Sequence, residues 1–193
     1  NRERTRMLNL IRENALQYDV EIYAYCIMPN HIHLLIKPDL KELASFMAKI
    51  ISECARYYNH KHNRTGYVFQ GRYKSQCIES IGYFWNCLRY IHNNPLYLQD
   101  VDNIVDYRYS SFKELYYGEK DILANLIFQL VYGKFNGIEE FLYFHEMKSW
   151  YDGYSFVNTP HIYNPKSVVE SITRNKYGNY WTRTETYEAL KVY

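Results

Sequence analysis

The sequence predicts an α+β fold, and three observations carry that prediction. Over the first 94 residues the apolar spacing switches between a period near 3.6 and a period of 2, in the order helix, strand, strand, helix, strand, helix. Turn and cap residues fall at the switches: Pro29-Asn30, Asp39, Ser80 or Gly82, and Pro95. Beyond Gly118 only helical patterns remain. With one strand placed upstream of Asn1, this order is that of a βαββαβ ferredoxin-like sandwich with an antiparallel sheet, followed by a helix and a C-terminal helical extension. A boundary near Gly118 divides residues 1–117 from an extension over residues 118–193.

Taken in order, Thr5 to Tyr18 reads as a helix, because Leu8, Ile11 and Ala15 recur at helical spacing. Val20 to Met28 alternates, with Val20, Ile22, Ala24, Cys26 and Met28 on one face of a half-buried strand. A second strand follows the Pro29-Asn30 turn and pairs antiparallel with the first. Asp39 caps a helix from Leu40 to about Asn59, with Leu43, Phe46, Ile50, Cys54 and Tyr57 as its stripe. Tyr67 to Gln70 and Tyr73 to Glu79 read as strand, broken at Gly71. A helix then runs to about Asn94 and stops at Pro95. Asp121–Tyr132, Ile138–Trp150, Pro165–Asn175 and Thr182–Val192 read as further helices.

The chain has 193 residues, 47% of them hydrophobic, enough for one domain with a sizeable core. A formal charge of +2 permits a nucleic-acid partner without arguing for one. The 23 tyrosines suit wet surfaces as well as cores. Cys26, Cys54, Cys77 and Cys87 form no CxxC pair and read as reduced, mostly buried thiols. No apolar run reaches the roughly 18 residues that cross a bilayer, and no signal peptide is visible. These features together predict a cytoplasmic protein with no membrane partner.

His31 and His33 lie two apart in Met28-Pro29-Asn30-His31-Ile32-His33-Leu34-Leu35-Ile36. On a strand they share a face, with Ile32, Leu34 and Ile36 on the other. Two imidazoles side by side are half of a divalent-metal site; the competing reading is a pair of surface histidines. The helix Phe84 to Asn94 carries its core stripe at Phe84, Leu88 and Ile91. Tyr90 and Asn94 stack four apart on another face. The Asn94 amide oxygen is a hard donor that could complete a site for Mg²⁺ or Mn²⁺. One turn away, the Tyr90 hydroxyl could attack a phosphorus whose oxygens the metal polarises. A phosphotyrosine so formed would store the bond energy for later reversal. Tyr90 could equally be one more helix tyrosine.

These segments resemble a known family. Met28 to Leu35 is similar to the His-hydrophobe-His signature of the single-tyrosine HUH transposases of the IS-200-like group. Leu88 to Pro95 resembles their nucleophile helix, and Gly66 to Ser75 their intervening strand pair. Tyr107-Arg108-Tyr109-Ser110-Ser111-Phe112 resembles a downstream element of the family, and with Gly66 to Ser75 and the Tyr-Ile-x-x-Asn-Pro form it resembles the REP-associated tyrosine transposase branch. The match spans roughly Thr5 to Leu115, with the motifs in the family's order. The resemblance implies a ferredoxin-like fold, a divalent metal on His31, His33 and Asn94, and attack by Tyr90 on single-stranded DNA. That attack would give a 5′-phosphotyrosine and a free 3′-hydroxyl. It implies a DNA hairpin flanked by single strand as partner, in a bacterial, nucleoid-associated setting. It also allows a homodimer, although the REP-associated branch includes monomers. The family's first strand precedes its first helix, and no such strand precedes Asn1 here.

Arg72 and Lys74, near the start of the strand before the Tyr90 helix, are candidate phosphate contacts, as is Arg64 in the preceding loop. Each could instead be a solvated charge. His60 and His62 repeat the spacing at a helix end, where i and i+2 do not face each other. His92 reads as structural, and His145 and His161 have no partner at any recognisable spacing. Phe141, Tyr143, Phe144 and the aromatics after them read as packing, with base stacking as the alternative. Two other readings stay open: a hairpin-binding protein without cleavage, and a module with a structural zinc on His31 and His33 that lacks two evident ligands.

Overall fold

The computed structural model describes residues 2–146 and 187–192. The helix α1 spans Arg2–Gln17 and leads into a hairpin of β1, Glu21–Ile27, and β2, Ile32–Lys37. Then come α2, Leu40–Lys61; β3, Lys74–Ile78; and α3, Ile81–Asn93. A 3-10 turn over Asn94–Tyr97 continues α3. Short helices α4, Phe112–Tyr117, α5, Asn125–Lys134, and α6, Ile138–Glu146, precede a last strand β4, Tyr187–Val192.

The fold is α+β, and its strands form one antiparallel sheet in the order β1-β2-β4-β3. β4 therefore lies between β2 and β3, antiparallel to both. In a βαββαβ sandwich that position belongs to the first strand, which the sequence reading placed upstream of Asn1. Here the position is filled from the other end of the described chain, and Thr182–Val192 is not a helix over residues 187–192. Two open strand edges offer backbone partners along the whole segment, and such pairing overrides weak helical propensity.

The β1–β2 hairpin differs from simple alternation at one point. Ile22 pairs with Ile36 and Ala24 with Leu35, so Tyr23 is an extra residue on β1. Cross-strand partners share a face. The bulge at Tyr23 thus puts Ile22 and Ala24 on opposite faces, where alternation alone put them together. β1 is also buried on both faces rather than half-buried.

What buries β1 is clear from its contacts. On one face Phe84 of α3 packs edge-on against Tyr23 at 5.8 Å. Ile32, Leu34 and Ile36 point to the face away from α3 and are buried, as predicted. The paired helices α1 and α2 form the layer on that side. The outer edge of β1 is closed by residues 107–111. Tyr109 O accepts from Ile27 N at 2.9 Å, Ser111 N donates to Tyr25 O at 3.0 Å, and Cys26 bridges Ser110. An exposed strand edge is a pairing hazard, and this segment removes it.

Local signals explain the helix starts. The Asp39 carboxylate accepts from Lys41 N at 3.0 Å, and Ser80 Oγ from Tyr83 N at 3.3 Å. Gly118 ends α4 at φ 69°, a left-handed turn suited to glycine. Two boundaries move for stated reasons. Tyr67–Gln70 is no strand: the loop lies over α2, held by Asn59 Nδ2 donating to Gly66 O and Arg64 donating to Tyr67 O. Helix α5 begins at Asn125, not Asp121. The backbone N–H groups of Asp121, Ile122 and Leu123 wrap Glu114 Oε2 at 2.9–3.1 Å instead. The expected helix Pro165–Asn175 lies outside the described residues, as do Trp150 and His161. All four cysteines are free thiols, three of them buried; burial raises Cys54 to about 11 and Cys87 to about 12.

Candidate active site

The His31–His33 pair sits at the start of β2, and its geometry follows from the hairpin. The Pro29-Asn30 turn is closed by Met28 N donating to His31 O at 2.8 Å. His31 precedes the strand, half-buried, with Nδ1 2.8 Å from Asn30 Oδ1. His33 lies within the strand, buried opposite Cys26 of β1. The two imidazoles stand 4.8 Å apart, edge to face.

Helix α3 brings the third group. The Tyr90 ring meets the His33 ring edge-on at 5.2 Å. Tyr90 is 38% exposed on a helix whose other side, Phe84, Leu88 and Ile91, is buried as predicted. One turn on, Asn94 is buried, and its Nδ2 donates to Tyr90 O at 2.7 Å. With its nitrogen so committed, the amide oxygen is the atom that remains as an acceptor.

The fold thus joins His31, His33 and Tyr90 from two elements, with Asn94 stacked behind Tyr90. Among the described residues no group of three His, Cys, Asp or Glu could hold a metal. A closed zinc site on His31 and His33 therefore gains no further ligand of those types from the described residues.

Comparison with known proteins now adds to the geometry. Residues 1–94, which hold all four of these side chains, match the family described as IS200-like transposase. That match covers 94 of the chain's 193 residues. The transposase match extends in a curated relative from Haemophilus influenzae, provisionally named a REP-associated tyrosine transposase. It is 29% identical over 112 residues. That alignment covers 52% of this chain and 64% of the relative, so the chain spans under two thirds of the length of that protein. No solved structure matches the chain significantly.

The basic residues around this site are placed unequally. Lys74 opens β3, and its Cα partner Lys191 is in turn the partner of His33. Paired positions share a face, so Lys74 stands two strands from His33 in the same row, roughly 10 Å away. Arg72, exposed, lies in the loop just before β3. Arg64 lies over the Tyr58 ring at 5.6 Å and donates to Tyr67 O at 3.2 Å. These contacts hold its own loop. His62 likewise binds Glu3, at 3.1 Å.

The sequence reading missed one cluster, which fixes α3 in place. His145 does have a partner: its ring stacks on that of His92, with Nε2 3.1 Å from His92 Nδ1. His92 Nε2 lies 2.9 Å from Ser111 Oγ, and His145 Nδ1 lies 2.8 Å from Phe141 O. A carbonyl only accepts, so His145 Nδ1 carries the proton and His145 Nε2 accepts. His92 Nδ1 then donates, and Ser111 donates to His92 Nε2. The whole chain is satisfied with both rings neutral. Asn93 Nδ2 adds a bond to His145 O at 2.8 Å. No periodicity links residues so far apart in sequence, so no pattern could have announced this cluster.

Burial lowers His92 well below the ordinary imidazole value and takes His145 to about 3. A depressed histidine stabilises the fold above pH 6.5, and that stability is lost as pH falls from 6.5 towards 3, because the unfolded chain takes up the proton first. We expect the melting temperature to fall over this window. His145→Gln should flatten the fall relative to the wild type, measured by circular dichroism. Parallel curves for the two proteins would contradict the assignment.

Proposed function

We propose that this protein cleaves and rejoins single-stranded DNA through a covalent link at Tyr90. The observation that carries the proposal is the contact of the Tyr90 ring with the His33 ring, itself beside His31. The family match supports a transposase-type activity, and the arrangement supports this chemistry for it.

His31, His33 and the Asn94 amide oxygen would hold a divalent cation. The Asn94 oxygen is a donor that suits Mg²⁺ or Mn²⁺, whose other positions water and phosphate would complete. Bound there, the cation would neutralise phosphate charge and orient the scissile bond. The chain's own part is geometric. Packing of Phe84, Leu88 and Ile91 fixes the helix, so Tyr90 stays aimed beside the histidines with its exposed side towards incoming DNA. Its hydroxyl oxygen attacks the phosphorus and gives up its proton, the bond from phosphorus to the 3′-oxygen breaks, and that oxygen leaves as a 3′-hydroxyl while a 5′-phosphotyrosine remains. The new phosphodiester keeps the energy of the old one, so a 3′-hydroxyl can reverse the step without ATP. Lys74, in the row of His33, and Arg72 beside it would hold flanking phosphates. The partner is a DNA hairpin flanked by single strand.

The test is a denaturing gel after mixing the chain with labelled hairpin oligonucleotides from the DNA flanking its gene. With Mg²⁺ or Mn²⁺ a protein–DNA adduct is expected; EDTA or Tyr90→Phe should abolish it. Tight binding without any adduct would instead favour a hairpin-binding protein. An adduct persisting in Tyr90→Phe would move the nucleophile elsewhere.

A further inference from the structure

A second basic feature lies around the outer edge of β1. A cleft of about 430 Å³ opens between α1, α2 and the segment that closes that edge, lined by Arg2, Thr5, Arg6, Asn9, Tyr57, Arg108 and Tyr109. None of these is a carboxylate. Arg2, Thr5, Arg6 and Asn9 recur at helical spacing, so α1 presents them as one polar stripe.

The neighbouring charges favour an anion. Glu3 is turned to Lys61 and His62, and Glu13 and Glu53 to Arg6, at 3.8 and 3.5 Å. Arg6 is therefore largely neutralised. Arg2 and Arg108 are exposed, and among the described residues neither has a carboxylate within ion-pair distance. Arg4 donates to Tyr107 Oη at 3.0 Å and lies over the Tyr109 ring at 4.6 Å, so it stiffens the wall. The Arg108 guanidinium lies 5.8 Å from the same ring. Tyr109 is itself tied to the end of β1, since its carbonyl accepts from Ile27 N. The cleft is thus coupled to the strand end that leads into the Pro29-Asn30-His31 turn.

We propose that this cleft binds the phosphate backbone of the DNA on which the Tyr90 site acts, with Arg2 and Arg108 as the phosphate contacts. The inference rests on the DNA partner proposed above, but not on cleavage. Arginine forks match phosphate geometry, and an open cleft admits a strand where a closed pocket would not. Tyr57, half-buried on the wall, offers a ring to any unpaired base beside those phosphates. The cleft would anchor the DNA arm that continues from the cleavage site around the hairpin's edge.

The test separates binding from chemistry. In a Tyr90→Phe background, the full chain is titrated with a fluorescent hairpin carrying a single-stranded flank, by anisotropy, between 50 and 200 mM NaCl. Arg2→Gln/Arg108→Gln, both at exposed positions, should weaken binding about tenfold at the low-salt end. The slope of log affinity against log salt should shrink by about 1.5–2, the value for two lost phosphate contacts. An unchanged affinity and slope would overturn the proposal, and so would absence of salt-dependent binding by the parent. With Tyr90 restored and DNA saturating, the double variant should still form the adduct. If no protein forms an adduct but the slope still falls, the cleft stands and the cleavage reading fails. If the double variant loses its adduct with binding intact, the arginines serve the reaction and not the anchoring.

Discussion

Deleting residues 187–193 is expected to abolish cooperative folding of the sheet, or to lower its melting temperature by more than 15 °C. β4 aligns five residues with β2 and five with β3. At roughly one ladder bond per aligned pair and about 0.5–1.5 kcal/mol net for each, the ten pairs carry a sum comparable to the whole stability of about 5–15 kcal/mol. The losses are unequal. β2 keeps β1 as a partner, whereas among the described residues β3 pairs with β4 alone. Without β4, β3 leaves the sheet and takes Lys74 out of the row of His33. Hydrogen exchange should therefore show protection lost throughout Lys74–Ile78 and along one side of Ile32–Lys37, with β1 least affected. A truncated chain that melts like the full one, with β3 still protected, would show that β4 is dispensable to this sheet.

That strand also marks how far the sequence could be read. The hairpin, the caps at Asp39 and Ser80, and the buried stripe of α3 were all legible, because each depends on residues close in sequence. The His31–His33 pair and the Tyr90–Asn94 stack were legible for the same reason. Their meeting was not, since nothing local fixes how α3 lies on β2. The family resemblance supplied that step. The gap between β2 and β3 could be inferred from topology, but not its occupant, because Tyr187–Val192 carries no strong signal of its own. The Tyr23 bulge was invisible to period counting, which assumes no inserted residue. The start of α5 was misplaced because a distant carboxylate, Glu114, claims its first N–H groups. In each failure a tertiary contact overruled a local preference.

Glu114 itself is the second site of large effect. Its carboxylate is buried and accepts four hydrogen bonds: three backbone N–H groups on Oε2, and the Tyr25 hydroxyl on Oε1 at 2.9 Å. Tyr25 answers with an ionisation pushed far up, by its burial and by the adjacent carboxylate. The next residue, Ala124, donates its N–H to Ile22 O at 2.8 Å, and Asp121 pairs with Arg12 of α1. One carboxylate thus ties α4, the start of α5 and β1 together, and its neighbour joins α1. Glu114→Ala strands four donors, two buried and two part-buried, and its expected cost is about 3–5 kcal/mol, a fall of about 10–15 °C in melting temperature. Glu114→Gln discriminates between charge and shape. Its oxygen can keep the three N–H groups, and its nitrogen can donate to the Tyr25 hydroxyl, so it should lose about 1–2 kcal/mol. Tyr25→Phe, which removes one neutral donor, should cost least, about 1 kcal/mol. If Gln falls as far as Ala, the negative charge is what holds the turn. If neither falls, the turn at 121–124 is held by Arg12 and Ile22 instead. Because Tyr25 pairs with Leu34, next to His33 on β2, loosening this junction reaches the candidate site through the hairpin. Adduct formation by Glu114→Ala should therefore survive in the cold and disappear at temperatures the wild type tolerates.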